Sequence, residues 1–150
     1  MPTRTVQSSI GTCARDVLEV VPLVMREIRK EMREHSAREL SVPQFRTLHY
    51  LSRHKSASLS EVAEHIGLTL PSMSTLIDGL VVRNFAIRRT HPDDRRRMTL
   101  ELTDHGEAVL CSAREATQTY LAKLLGPLSP ADHRTIIKAM RTLKSIFTEK

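Results

Sequence analysis

Apolar positions recur along this 150-residue chain with a period near 3.6 for most of its length and a period of 2 in one short stretch. Over residues 13–34, Val17, Val20, Val21, Val24, Ile28 and Met32 fall at helical spacing between charged residues. They predict a long amphipathic helix, bent at Pro22, whose ring clashes with the preceding turn. In SVPQFRTLHYLSRH, Ser41 and Gln44 have capping-box spacing, Pro43 suits a first turn, and Phe45, Leu48 and Leu51 form the apolar stripe. SLSEVAEHIG repeats the grammar, with Ser58 and Glu61 as the box, Val62, Ala63 and Ile66 inward, and Gly67 as the stop. A fourth helix begins near Thr69, with Met73, Leu76, Ile77 and Leu80 on one face and Asn84 in the left-handed closing position.

The period then changes. Phe85, Ile87 and Arg89 alternate with Ala86, Arg88 and Thr90, and Met98, Leu100 and Leu102 alternate with Thr99 and Glu101. With the turn-rich HPDDRRR between them, these predict a β-hairpin with arginines at or near its tip. Beyond Thr103 the helical period returns. Val109, Ala113, Ala116, Tyr120 and Leu124 mark one helix, ended by Gly126 and Pro127. Ser129 and Pro130 open the last, whose stripe is Ile136, Ile137, Met140, Leu143 and Phe147. The fold class expected is mainly α with a small β-hairpin wing.

A pair of short helices over Ser58–Ile66 and Leu70–Arg83, joined by a tight turn, has the pattern of a helix-turn-helix. Opposite the buried stripe of the second helix lie Pro71, Ser74, Thr75 and Asp78, with Ser72 at the flank. Small hydroxyl side chains let a helix enter a major groove and bond to phosphates or base edges.

Charge changes the picture next. The formal net charge is +6, and residues 83–102, with six basic and three acidic side chains, hold half of it. A basic hairpin directly after a helix-turn-helix is the arrangement of a winged helix, in which an arginine of the wing can enter a narrow minor groove. Arg95, Arg96 and Arg97 are the candidates, and Asp94 is placed to orient the Arg96 guanidinium. Together with Ser58, Pro71, Ser72, Ser74 and Thr75 they make up the expected DNA-binding set.

The stretch SVPQFRTLHYL…SLSEVAEHIGLTLPSMSTLIDGLVVRNFAIRRTHPDDRRRMTLELTDHG, spanning residues 41–106, resembles the MarR family of winged helix-turn-helix regulators. The likeness is densest at Asp94, Arg96, Leu102, Thr103 and Gly106, and the order of flanking helices extends it over nearly the whole chain. It implies a homodimer formed by the first helix and the last two, with Arg96 as the minor-groove arginine and Asp94 as its partner. Two departures stand out: Gly79 and Thr75 occupy positions where basic residues are frequent, so base readout is expected to be sparse. Asn84 stands where Gly is usual.

The domain organisation expected is a single domain over 1–150, with the winged helix-turn-helix over 41–103 and dimerisation helices over 10–38 and 104–150. The terminal helices carry more apolar surface than a small winged domain can cover, which argues for dimerisation independently. The partner expected is double-stranded DNA with a pseudo-palindromic operator, and the function is that of a repressor released by a small-molecule effector. Ligand residues are not assigned.

Chemistry narrows little further. No catalytic signature or phosphate loop is present, so an enzyme is not expected, nor is a cofactor. His49 and His54 lack ligand spacing, so no metal is expected. Cys13 is the redox candidate of such regulators, but a buried, inert thiol is the expected role. With no apolar run of membrane-spanning length and no signal-like N-terminus, a cytoplasmic location is expected. A redox- or metal-responsive sensor on the same scaffold, or a non-DNA helical interaction module, are the alternatives.

Overall fold

The computed structural model describes residues 3–36 and 40–148. The chain divides into two compact units, Met1–Thr117 and Gln118–Lys150. The first contains α1 (Thr3–Glu31), a π-helical turn at Met32–Ser36, α2 (Val42–Arg53), α3 (Leu59–Ile66), α4 (Leu70–Val82), β1 (Ala86–Thr90) and β2 (Met98–Leu102). Helix α5 (Asp104–Leu125) begins in the first unit and ends in the second, which also holds α6 (Pro130–Thr148). No single described helix is long and apolar enough to cross a membrane.

Local chemistry places the helix ends. Ser41 Oγ accepts from the Gln44 N–H, while Gln44 Oε1 accepts from the Ser41 N–H at 2.9 Å. Ser58 and Glu61 form the same reciprocal pair, at 3.2 and 2.6 Å. These satisfy amides that an α-helix leaves open in its first turn. Gly67 closes α3 with φ 80°, and Asn84 follows α4 with φ 57°. Helix α1 starts earlier than its apolar pattern indicates and stays helical through Pro22. The proline removes one backbone donor there without ending the helix.

The core of the first unit is aliphatic. Leu48, Val62, Met73, Ile77 and Leu80 are fully enclosed, and Leu51, Phe85, Leu100 and Leu110 pack with them. Each such side chain contributes roughly 1.5–3 kcal/mol by leaving water. That cluster seats α2, α3, α4, the hairpin and the start of α5 on one another.

The strands pair antiparallel, with Arg88 opposite Leu100 and Thr90 opposite Met98. The Leu100 N–H also donates to the Ala57 carbonyl at 2.8 Å, so a single bridge residue adds a third edge to the hairpin. The alternation expected for β2 holds at Leu100 but not at its outer end. Met98 is exposed and Thr99 is buried, its hydroxyl donating to the Arg89 carbonyl at 3.4 Å. Met98 sits opposite Thr90 at the open end of the ladder, past the reach of the core.

In α5, Val109, Leu110 and Ala113 are buried in the first unit. Within the second unit, α6 buries none of its residues, and Ile137, Met140, Ile146 and Phe147 are largely exposed. The Ser129 cap expected there forms: its Oγ accepts from the Asp132 N–H at 3.2 Å.

Candidate nucleic-acid interface

The chain turns by 106° between α3 and α4, within the range of helix-turn-helix pairs. Thr69 caps α4, its Oγ1 accepting from the Ser72 N–H at 3.3 Å and donating to Ser72 Oγ at 3.0 Å. From that fixed start, Met73, Ile77 and Leu80 turn into the core. Pro71, Thr75 and Asp78, at i, i+4 and i+7, turn outward as one exposed stripe, with Ser72 exposed beside it. Ser74 is only half-exposed, at the border of the two faces. The Thr75 hydroxyl donates to the Pro71 carbonyl at 3.1 Å, which leaves its lone pairs as acceptors.

Ser58 lies elsewhere. It is half-buried, and its hydroxyl is engaged in capping α3. The partner in that box, Glu61, has its carboxyl held below the usual carboxylate range, first by the hydrogen bonds from Ser58. The Arg97 guanidinium, in the loop between the strands, adds to this in the same direction.

The loop between the strands is tied internally. The His91 N–H donates to the Arg97 carbonyl at 2.8 Å, and the Arg97 N–H donates to the Asp94 carbonyl at 3.0 Å. Arg95 and Arg96 therefore occupy the central positions of a turn that spans Asp94 to Arg97. All three arginines are exposed. Asp94 meets Arg96 differently from the sequence expectation: its Oδ1 accepts from the Arg96 backbone N–H at 2.9 Å rather than gripping the guanidinium. An Asx-type bond of this kind orders the turn, and the arginine side chain extends from it.

Two ion pairs stiffen the wing. Arg89 Nε lies 2.8 Å from Glu101 Oε2 across the ladder. Arg88 Nη1 lies 2.6 Å from Asp78 Oδ1 on α4, joining the wing to the recognition helix. Sequence reading did not find this second pair.

At the other end of the hairpin, the Thr103 hydroxyl donates to the Asn84 carbonyl at 2.6 Å and accepts from the Gly106 N–H at 2.9 Å. The L-T-x-x-G stretch is thus a joint that fixes the end of β2 and the start of α5 to the residue closing α4.

The helix pair, the first strand and the arginine turn of the wing fall within a match to the model of the MarR family over residues 39–97. The winged helix-turn-helix segment belongs to the MarR family. It is 36% identical over 95 residues to the HTH-type transcriptional repressor YetL of Bacillus subtilis, covering 59% of this chain and 57% of that protein. The crystal structure of RV1404 from Mycobacterium tuberculosis superposes with a TM-score of 0.80 at 24% identity, over 95% of this chain and 96% of that one. The transcriptional repressor CouR, solved on a 23-mer DNA duplex, matches with a TM-score of 0.67 at 25% identity, covering 85% and 89%. That segment carries the DNA-binding fold of MarR-family transcriptional regulators, a family of regulators rather than enzymes.

Two expectations fall outside this surface. Cys13 is exposed on α1, not buried, because the neighbouring turns of that helix are themselves uncovered. Cys111 is exposed as well and lies 3.8 Å from Glu107 Oε1. His49 and His54 are engaged with Arg114 and Tyr50 respectively.

Proposed function

We propose that this MarR-family protein is a cytoplasmic, homodimeric regulator that binds a pseudo-palindromic operator and represses transcription until a small molecule releases it. The observation that carries the reading is that one compact unit exposes both a slim helix stripe, Pro71, Thr75 and Asp78, and the arginine turn of the wing. In a complex, Pro71, Ser72, Ser74 and Thr75 meet the major groove, and Arg96 enters the adjacent minor groove, with Arg95 and Arg97 on the flanking phosphates. Asp94 contributes by shaping the turn, and Ser58 by fixing the end of α3 near the phosphate backbone.

Dimerisation is supported by apolar surface that each element leaves open. On α1, Leu18, Val20, Val21, Leu23 and Val24 are exposed; on α6, Ile137, Met140, Ile146 and Phe147 are. A two-fold dimer would set two recognition helices about one helical turn of DNA apart, ~34 Å. A cleft of about 380 Å³, bordered by Arg29, Arg33 and Arg83 over Met32, Leu40 and Val42, has the size and chemistry to hold a small anionic effector. Two exposed free thiols suit a reducing cytoplasm.

The deciding experiment is binding to duplex DNA from upstream of its own gene across a salt series, with oligomeric state followed by sedimentation. The logarithm of affinity should fall with that of salt by about 0.9 per phosphate neutralised. A flat salt response, or a monomer binding every sequence equally, would reject the proposal.

A further inference from the structure

Helix α4 carries a single charged residue, Asp78, which is an acid on the face that meets DNA. A lone carboxylate there would repel phosphate, so its neighbours decide what it does. Arg88 pairs in register with the buried Leu100, so its side chain leaves the hairpin on the face that packs against the helices. From there its Nη1 reaches Asp78 Oδ1 at 2.6 Å, with the arginine side chain 35% and the aspartate 56% exposed. Asp78 lies one turn beyond Thr75 on the outward stripe, so the guanidinium is drawn to the edge of that stripe.

We propose that Arg88 is a DNA-contacting residue, presented to the duplex by Asp78. The recognition helix contains no cation of its own, and the wing strand supplies one. One guanidinium nitrogen is held by the carboxylate, and the remaining N–H groups keep the planar fork that suits phosphate oxygens or the O6/N7 edge of guanine. Asp78 is the positioning residue: it neutralises itself and fixes the direction of the fork. The inference rests on the DNA-binding reading above.

The test begins with the full-length protein selecting a duplex from a random-sequence library. Failure to select any duplex would reject DNA binding itself, and this proposal with it. With a selected duplex in hand, Arg88→Gln should bind it about tenfold more weakly, with a salt slope shallower by about one phosphate contact or with lost discrimination at one base pair. Asp78→Asn retains the cation and removes its holder, so the ratio of affinities for selected and random duplex should fall. Melting temperatures near the parent's would separate both effects from misfolding. Should Arg88→Gln prove unstable, Arg88→Lys keeps the charge beside Asp78 but loses the fork, and should still bind the selected duplex less tightly. Parental affinity and salt slope in a folded Arg88 variant, or unchanged discrimination in Asp78→Asn, would overturn the proposal.

Discussion

Gly106, in the first turn of α5, packs so closely on Phe85 that a β-carbon at position 106 would overlap the Phe85 carbonyl oxygen. That same oxygen accepts the Thr103 N–H at 3.2 Å, so the helix cannot back away without breaking the joint. Gly106→Ala should therefore destabilise the protein by about 1–3 kcal/mol, the usual range for overpacking. Urea unfolding checks this. A variant as stable as the parent would mean that α5 shifts freely on the hairpin.

Thr103 is the hydroxyl half of the joint. Because its Oγ1 both donates to Asn84 and accepts from Gly106, its loss leaves a carbonyl and an amide without their partner. Thr103→Ala should cost about 1 kcal/mol, as for other helix N-caps, whereas Thr103→Ser should retain most of the stability. Equal unfolding midpoints for the Ala and Ser variants would show that the hydroxyl is dispensable.

Arg96 occupies the centre of the turn that Asp94 orders, and its side chain is exposed. Arg96→Ala should lower operator affinity by about 1–3 kcal/mol while leaving the melting temperature near the parent's. Asp94→Ala should lower affinity as well, through a looser turn. Binding by Arg96→Ala as tight as the parent's would remove the wing from the interface.

These residues also show what local sequence can encode. Ser58–Glu61, Ser41–Gln44, Gly67 and Asn84 were legible because a cap or a left-handed residue depends on three or four neighbours. The hairpin was legible from a change of period. The bridge between Ala57 and Leu100, and the ion pair of Asp78 with Arg88, join residues whose proximity only the folded core creates. Alternation likewise marked Met98 as inward, since it carries no information about where the core ends along a strand. Of the candidate DNA-binding set, the exposed stripe was visible at Pro71 and Thr75. The Ser58 hydroxyl, expected both as a cap and in the DNA-binding set, is engaged by its own helix, as capping-box spacing indicates.

The contact between α2 and α5 makes stability depend on pH in one direction. Arg114 Nη2 lies 2.6 Å from His49 Nδ1. A guanidinium has only donors, so Nδ1 must accept, which requires a neutral ring with its proton on Nε2. Burial first, and then the Arg114 charge, hold the His49 pKa below its ordinary value of 6.5. The unfolded chain thus binds a proton more readily than the folded one. The stability from this neutral ring is fully present above that ordinary value, and it is lost as pH falls toward the depressed folded value. His65 is shifted in the same direction, first by burial and then by Arg46 and His54, so the parent alone cannot report on His49. His49→Gln keeps an acceptor for Arg114 but does not titrate. Urea midpoints measured from neutral pH downward should fall less steeply for His49→Gln than for the parent. Parallel pH profiles for the two proteins would show that this histidine does not couple proton uptake to unfolding.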